Sequence, residues 1–160
     1  MALGDNTKQA ARGNGERGRK PYMVETTLDF ATALSDKGAA LAANDVIPVI
    51  EVKAGTLILN AGAQIVEAAN STTLTLDIGT GVDADVFVDG FDGKSSADTY
   101  AQNPAAYQPV MAVADDAIDV KAATLTGTLS TGKVRVWAIL MDCTAMGDGA
   151  ADEVARDALA

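Results

Sequence analysis

The sequence contains no histidine, and its one cysteine is Cys143. Histidine is the commonest general base and the commonest metal ligand near neutral pH, so its absence excludes the usual histidine-based catalytic dyads and triads. A single cysteine excludes a disulfide within the chain, which is typical of proteins made in a reducing cytoplasm. Without a histidine to activate it, the thiol of Cys143 is expected to be inert.

Long apolar runs and aromatic residues are also scarce. No stretch reaches the roughly 18 apolar residues of a membrane helix, and residues 1–20 lack the apolar region of a secretory signal. One tryptophan and three tyrosines offer little surface for stacking sugar rings, which argues against a glycosidase built on paired carboxylates. The composition therefore predicts a protein that is not an enzyme, binds no cofactor and does not enter a membrane.

Positive charge is scarce outside the first 20 residues. The formal net charge is −10, but residues 1–20 hold five basic and two acidic groups, a net charge of +3. The other 140 residues hold 7 basic and 20 acidic groups, a net charge of −13. Proteins that bind duplex nucleic acid present a basic face, so this acidic body argues against nucleic acid as the partner. The basic groups at the start of the chain favour an acidic protein surface; they are Lys8, Arg12, Arg17, Arg19 and Lys20.

Composition divides the chain into three parts. Residues 1–20 are rich in Gly, Asn, Lys and Arg, which predicts a flexible basic N-terminal arm. Residues 21–143 hold most of the large apolar side chains and are predicted to form one β-sandwich domain with its own core. Residues 144–160 are predicted to be a C-terminal tail, in which AADEVARDALA favours a short helix that is not stable alone.

Apolar and polar residues alternate along most of the domain, with a period of two. In TLTLDI (73–78), leucine and isoleucine alternate with threonine and aspartate, and residues 22–29, 118–121 and 133–137 repeat the pattern. Such alternation indicates antiparallel strands with one face on a core and the other in water. Pro48 within VIPVIEV predicts an edge strand or a bulge.

About eight such strands, separated by turns rich in Gly, Asn and Asp, predict an all-β fold. We expect an antiparallel β-sandwich or a jelly-roll-like barrel, with an extended N-terminal arm and an irregular C-terminal tail. A doubly wound α/β fold would need repeated helices of about ten residues or more between the strands. The alanine-rich residues 31–45 predict only a loop with one helical turn.

The stretch LTLDIGTGVDADVFVDGFDG (74–93) holds five aspartates. It lacks the Lys-Ser/Thr pair of a P-loop, and no helix follows it, which argues against a phosphate-binding loop. Carboxylates close together in sequence are ligands that calcium prefers, but their spacing does not match an EF-hand. The weak candidates for a metal site are Asp83, Asp85, Asp89 and Asp92.

The alternative is that this stretch turns a corner between two strands and that its aspartates keep the corner in water. Extended backbone would place Asp85, Phe87 and Asp89 on the wet face. Val86 and Val88 would then point to the opposite face. We predict this structural role for the stretch, and we predict no metal site.

Four further features have structural interpretations. Asp115 and Asp116 favour a turn before a strand rather than an acid pair. Trp137 is predicted to anchor the core, and Arg135 is predicted to pair with an acid on a neighbouring strand. The longest irregular insert, residues 97–110, is predicted to contact a partner or to form a lid between subunits, because loops of that length tend to be functional.

Two blocks carry a resemblance to known proteins. Residues 44–90 contain AGT followed by GTGVDADVFVDG, and residues 114–142 contain ADDAIDV followed by GKVRVWA. These blocks, about half of the chain, resemble small structural proteins of tailed-bacteriophage virions, especially capsid decoration (cement) proteins. The resemblance implies a β-sandwich or jelly roll that assembles as a trimer or another oligomer. It also implies binding to the lattice of major capsid protein on the outer surface of the virion, after synthesis in the host cytoplasm.

Three hypotheses of function follow. The first is a non-enzymatic virion protein that decorates and stabilises a capsid, with residues 1–20 as the hook on the shell. The second is another virion module, such as a head-fibre base or a tail-associated β-domain. The third is a calcium-dependent adhesion or carbohydrate-binding domain that uses the aspartate-rich stretch.

Overall fold

A computed structural model of the chain describes residues 21–102 and 109–143. The basic residues of the predicted arm, the predicted C-terminal helix and residues 103–108 lie outside these ranges. The described elements, in chain order, are β1 (Tyr22–Asp29), α1 (Phe30–Lys37), β2 (Val46–Val52), β3 (Thr56–Glu67), β4 (Thr73–Thr80), β5 (Val88–Asp92), β6 (Tyr100–Gln102), β7 (Val110–Met111), β8 (Asp116–Thr126) and β9 (Lys133–Asp142).

Two antiparallel sheets form a sandwich. Sheet 1 has the strand order β1-β9-β3-β6, with β7 also paired to β3, and sheet 2 has the order β2-β8-β4-β5. Because β6 and β7 both pair with β3, they act as one interrupted strand, and the connectivity is that of a jelly roll. The predicted all-β antiparallel sandwich is confirmed.

The core lies between the inward faces of the two sheets, and the alternation in the sequence places it there. Along β9, Val134, Val136, Ala138 and Leu140 are buried, while the side chains between them are half-buried. Full burial of an aliphatic or aromatic side chain of this kind stabilises a fold by about 1.5–3 kcal/mol. The largest fully buried side chains are Phe30, Phe87, Ile58, Ile65, Leu74, Leu76, Ile78, Ile118, Val120, Val134 and Val136.

Helix α1 covers residues 31–37 of the 31–45 stretch, for which the sequence predicted a loop with one helical turn. Asp29 caps its N-terminus by accepting a 2.9 Å hydrogen bond from the Ala31 N–H, and the ring of Phe30 is buried in the core. Gly38 ends the helix in the left-handed conformation (φ 64°), where its N–H donates to two carbonyls of the last turn. The prediction was wrong because the cap and the anchor precede the alanine-rich stretch. No helix in the described ranges has the length and hydropathy to cross a membrane.

Pro48 coincides with both an edge strand and an irregularity. β2 is an outer strand of sheet 2, and its register against β8 shifts between Pro48 and Ile50. Proline has no N–H for the ladder, so it is tolerated where pairing is absent or interrupted. The sequence predicted one feature or the other, and the structure has both.

Trp137 lies on the outer face of sheet 1 and not in the core, so the prediction of a core anchor is wrong. Val136 and Ala138 take the inward positions on either side of it, and the tryptophan is half-buried. Its ring lies against Gly62 on β3, where a Cβ atom would come within 2.6 Å of the ring atom Cζ2. The glycine therefore leaves the room that allows a large ring to cover the sheet from outside.

Candidate functional site

The aspartate-rich stretch forms the corner between β4 and β5, as predicted. Residues 81–87 leave the sheet and return to it at the start of β5. The Thr80 N–H donates to the Asp83 carbonyl at 2.7 Å. The Phe87 N–H donates to the Ile78 carbonyl at 2.9 Å. These backbone hydrogen bonds close the corner.

Phe87 is buried, although extended backbone would have placed it on the wet face. Residues 81–87 are not a strand, so the two-residue alternation does not apply to them. The ring enters the core, while Asp85 and Asp89 stay exposed. The prediction for Phe87 is therefore wrong, and the prediction that these two aspartates face water is confirmed.

The four candidate metal ligands do not converge on one point. Asp83 and Asp85 lie in the loop, and Asp89 lies exposed on β5. Asp92 accepts a 2.9 Å hydrogen bond from the Lys94 N–H. A hydrogen bond with the carboxyl group of Asp85 raises the pKa of Asp83. In the described ranges, no group of three or more Asp, Glu, Cys or His side chains is placed to hold a metal ion.

The fifth aspartate, Asp77, holds the irregular part of β5 in place. Its Oδ1 accepts a 3.0 Å hydrogen bond from the Gly90 N–H, and Lys121 Nζ lies 3.7 Å from its Oδ2. Gly90 has φ 69° and forms, with Asp89, a bulge opposite Asp77. The alternation placed Asp77 on the outer face, and these partners explain why it is nevertheless buried there.

Arg135 pairs across strands, as predicted, but with an amide and not with an acid. Its Nη1 donates to Gln64 Oε1 at 3.2 Å. The residues directly opposite Arg135 are Gln64 on β3 and Thr27 on β1. Neither neighbour carries a carboxylate, so the expected ion pair has no partner in register.

Pro21, which follows residues 1–20, and Cys143, which precedes residues 144–160, lie at the same end of the sandwich. We name it the tail end. The beginnings of β1, β3 and β8 meet there with the ends of β2, β4 and β9. The Cys143 N–H donates to the Gly55 carbonyl at 2.8 Å, and the Gly55 N–H donates to the Ala112 carbonyl at 2.7 Å. These bonds join the turn between β2 and β3 to the segment that leads into β8.

Exposed apolar side chains are concentrated at the tail end. Of the eight large apolar side chains that are exposed in the described ranges, five lie here: Tyr22, Met23, Val82, Met111 and Val113. Val82 and Val113 are 90% and 87% exposed, and both line a groove of about 470 Å³ that also includes Val52, Ile58 and Val110. An exposed apolar surface of this kind is typical of a site that contacts another protein.

The tail end is also acidic. Its carboxylates include those of Glu51, Asp83, Asp115, Asp116 and Asp142. Asp115 lies in the bend before β8, as the sequence predicted, whereas Asp116 is already the first residue of the strand. Asp115 accepts hydrogen bonds from the Ala54 N–H at 3.0 Å and from Lys53 Nζ at 2.9 Å, and these bonds lower the pKa of Asp115. Of the basic side chains in the described ranges, Lys53 alone lies at this end.

At the opposite end, two lysines form ion pairs with carboxylates. Lys37 forms an ion pair with Asp45, and this hydrogen bond lowers the pKa of Asp45. The pair lies in a second groove, of about 670 Å³, between β1, α1 and β2. Lys133 Nζ lies 3.6 Å from a carboxylate oxygen of Asp29 and 3.6 Å from one of Glu67. Both ends therefore have a groove with apolar lining, but the two almost fully exposed valines lie at the tail end.

Asp119 is a buried acid whose charge opposes folding. It lies on β8 opposite Gly79 and Pro48, and only 8% of the residue is exposed. Burial, and then the neighbouring carboxylate of Asp116, raise the pKa of Asp119 above its ordinary value. A raised pKa means that the charged form costs stability at neutral pH and that this cost disappears as the pH falls through the folded-state pKa.

We therefore expect Asp119→Asn to raise the midpoint of thermal unfolding at neutral pH, and the gain to shrink as the pH approaches about 4. Circular dichroism at a series of pH values measures both effects. Asp89→Asn, which removes an exposed charge, is the control and should change stability by less than about 0.5 kcal/mol. A lower midpoint for Asp119→Asn at neutral pH would contradict the argument.

Three solved structures contain chains of similar fold. A chain of "Cyanophage Pam1 capsid asymmetric unit" matches with a TM-score of 0.57 and 15% identity, over 88% of this chain and 96% of that chain. A chain of "Capsid of Ralstonia phage GP4" matches with a TM-score of 0.55 and 12% identity, over 79% and 86%. A chain of "Acidic stable capsid structure of Helicobacter pylori bacteriophage KHP30" matches with a TM-score of 0.50 and 12% identity, over 76% and 86%.

At these identities the similarity concerns the fold alone. Each alignment covers at least three quarters of both chains, so it includes both sheets of the sandwich and not one of them. No protein-family model matches the chain, and no curated protein does.

Proposed function

We propose that the chain is a non-enzymatic structural protein of a bacteriophage virion, which decorates the capsid and stabilises it by binding the lattice of major capsid protein. The observation that carries the proposal is the fold similarity, because the sandwich is matched over most of its length by chains of three phage capsid structures. The resemblance of residues 44–90 and 114–142 to decoration proteins supports the same function independently of the fold.

The proportions of the matches favour a virion component built around one sandwich. The alignment with the cyanophage capsid chain covers 88% of this chain and 96% of that chain, so the two chains have similar lengths. One sandwich accounts for most of both chains. A rigid sandwich with two large faces and two distinct ends provides the surfaces that attachment to a repeating shell requires.

In this proposal, residues 1–20 are the hook that attaches a trimer to the outer surface of the capsid. A flexible basic segment is able to lie across an acidic surface of the shell protein or add to its sheet. Ordering the segment costs about 1–2 kcal/mol per residue in backbone entropy. Several weak contacts made at once by one trimer offset that cost, because each contact raises the effective concentration of the next. The basic side chains of the hook are Lys8, Arg12, Arg17, Arg19 and Lys20.

The test is binding of the purified chain to capsids of its own phage from a mutant that lacks it. We expect the chain to sediment with these capsids, to raise their thermal stability, and to form trimers on their outer surface in cryo-electron microscopy. A variant that begins at residue 21 should keep its circular dichroism spectrum and bind at least about tenfold more weakly, a loss of about 1.4 kcal/mol. Absence of binding, or density on a head fibre or the tail, would contradict the proposal. Equal binding by the truncated variant would contradict the role of the hook.

A further inference from the structure

We propose that the tail end of the sandwich is the surface of the body that contacts the shell, and that its partner is an apolar segment of the shell protein flanked by Lys or Arg. This inference rests on the proposed function, because it takes the shell protein as the partner. It goes beyond that function by naming the contact surface and the chemistry of the segment that fits it.

Two loops that are distant in sequence present apolar side chains on one groove. Val82 belongs to the corner between β4 and β5, and Val113 belongs to the segment between β7 and β8. Both are almost fully exposed, whereas Ile58 and Val52 in the same groove are buried. Covering an exposed side chain of this type removes apolar area from water and stabilises the contact. A partner that covers the groove gains this stabilisation from two valines at once.

Other surfaces of the body offer less to an apolar partner. On the outer face of sheet 2, the hydroxyl groups of Thr73 and Thr126 share a 2.6 Å hydrogen bond, and those of Thr75 and Thr124 pair in the same way. At the opposite end, the larger groove has one exposed valine, Val46, and contains the ion pair of Lys37 and Asp45. The tail end presents more exposed apolar surface and is therefore the better candidate for protein contact.

Charge decides which occupant the tail end favours. The described ranges contain 6 basic and 16 acidic side chains, a net charge of −10. A second copy of the same end would bring carboxylates together, and like charges across an interface disfavour association. Residues 144–160 contain four acidic groups and one basic group, a net charge of −3, so the same repulsion disfavours that segment. The acidic rim of the groove, which we define as the carboxylates of Asp83, Asp115 and Asp116, therefore favours a basic partner.

Residues 1–20 have a suitable charge but not a suitable hydropathy. Their net charge is +3, yet Met1 and Leu3 are the only large apolar side chains among them. Such a segment matches the acidic rim and leaves the apolar groove largely unfilled. A segment of the shell protein that carries both apolar and basic side chains satisfies the groove and the rim together.

The first test introduces charge at the exposed valines of the full-length chain. The double variant Val82→Asp/Val113→Asp places two carboxylates where the proposed contact requires apolar groups, and its fold should be unchanged because both side chains are exposed. The control Val46→Asp puts the same charge on an exposed valine at the start of β2, at the opposite end. In co-sedimentation titrations with capsids that lack the protein, we expect the double variant to bind at least about tenfold more weakly. Val46→Asp should bind as the unmodified chain does.

The second test concerns the acidic rim. Asp83→Lys reverses one charge of the rim, and Asp89→Lys makes the same change at an exposed position of β5 outside the rim. We expect weaker capsid binding for Asp83→Lys only. Added salt should reduce the difference in capsid affinity between Asp83→Lys and the unmodified chain, because salt screens exposed charges. Equal effects of the two variants at low salt would overturn the charge argument.

The outcomes separate this inference from the proposed function. If the unmodified chain does not bind capsids, the proposed function itself fails. If the unmodified chain binds and the double valine variant binds equally well, the tail end is not the contact surface. Loss of the unmodified oligomeric state by the double variant, measured by light scattering, would make the groove an interface between copies. If a peptide of residues 1–20 binds the chain truncated to 21–160 and the valine changes abolish that binding, the groove belongs to the arm. Either of these results would overturn the inference.

Discussion

Replacement of Phe87 by alanine is expected to lower the free energy of unfolding by about 3–5 kcal/mol. The ring is fully buried although it lies outside any strand, in the loop that connects β4 to β5. The Phe87 N–H is bound to the Ile78 carbonyl, which limits how far the backbone is able to move into the space left by the ring. The loss therefore includes both apolar burial and the cavity that remains. For a domain whose total stability is typically about 5–15 kcal/mol, this is a large fraction.

Urea denaturation followed by circular dichroism measures this change. Phe87→Leu keeps much of the apolar volume and is expected to cost less than the alanine variant. Asp85→Ala lies in the same loop but at an exposed position, so it should change stability by no more than about 0.5 kcal/mol. If Phe87→Ala cost no more than Asp85→Ala, the ring would not be part of the core.

The second large effect is expected at Gly79. Gly79→Ala should lower the free energy of unfolding by about 1–3 kcal/mol. The loop passes close to β4 at this point, and a Cβ atom on Gly79 would lie 2.1 Å from the Asp83 carbonyl oxygen and 2.2 Å from the Ala84 carbonyl carbon. Both are backbone atoms, which cannot rotate away as a side chain does. Relief requires residues 81–87 to move off the sheet, and that movement would withdraw Phe87 from the core.

Gly81→Ala is the matched control for this prediction. A Cβ atom there would come 2.8 Å from Oδ1 of Asp116, a side-chain atom that rotation is able to displace, so the cost should be smaller. Urea denaturation of both variants compares the two costs, and the rate of proteolysis within residues 81–87 reports movement of the loop. Equal losses of unfolding free energy and equal rates of proteolysis in the two variants would show that the backbone contact at Gly79 does not constrain the loop.

The strands were predictable because the period of two acts within each short segment. Leu74, Leu76 and Ile78 alternate with polar residues in the sequence, and all three are buried in the structure. For β2, Pro48 alone was enough to predict an edge strand or a bulge, since proline interrupts a ladder of hydrogen bonds wherever it occurs. These inferences depend only on residues that are close together in the sequence, so no knowledge of the fold was needed to make them.

Phe87 and Trp137 were placed on the wrong side for different reasons. The alternation rule assumes a strand, and the backbone around Phe87 leaves the sheet. Trp137 follows Lys133 and Arg135 at intervals of two along β9, so the alternation indicates the outer face; the prediction of a core anchor rested on the residue type and not on the pattern. Gly62, across the sheet, makes room for the Trp137 ring, and pairing of β3 with β9 is not visible in either segment alone.

The candidate surface at the tail end was also beyond local patterns. Local patterns indicate the basic arm and the aspartates of residues 74–93 as candidate sites, because runs of charge are visible in the sequence without a fold. Val82 and Val113 are ordinary valines in their own segments. Their exposure on one groove arises when the jelly-roll connectivity brings two loops to the same end of the sandwich.

The edges of the two sheets differ in regularity, and the difference bears on how copies behave when crowded. β2 contains Pro48 and a register shift, β5 contains the bulge at Gly90, and one edge of sheet 1 is divided between β6 and β7. By contrast, β1 is an edge strand that pairs with β9 over its eight residues without a shift. Irregular edges resist the addition of foreign strands. Within the described part of the chain, edge-to-edge aggregation therefore has one regular route, along β1, even when many copies are held side by side at high local concentration.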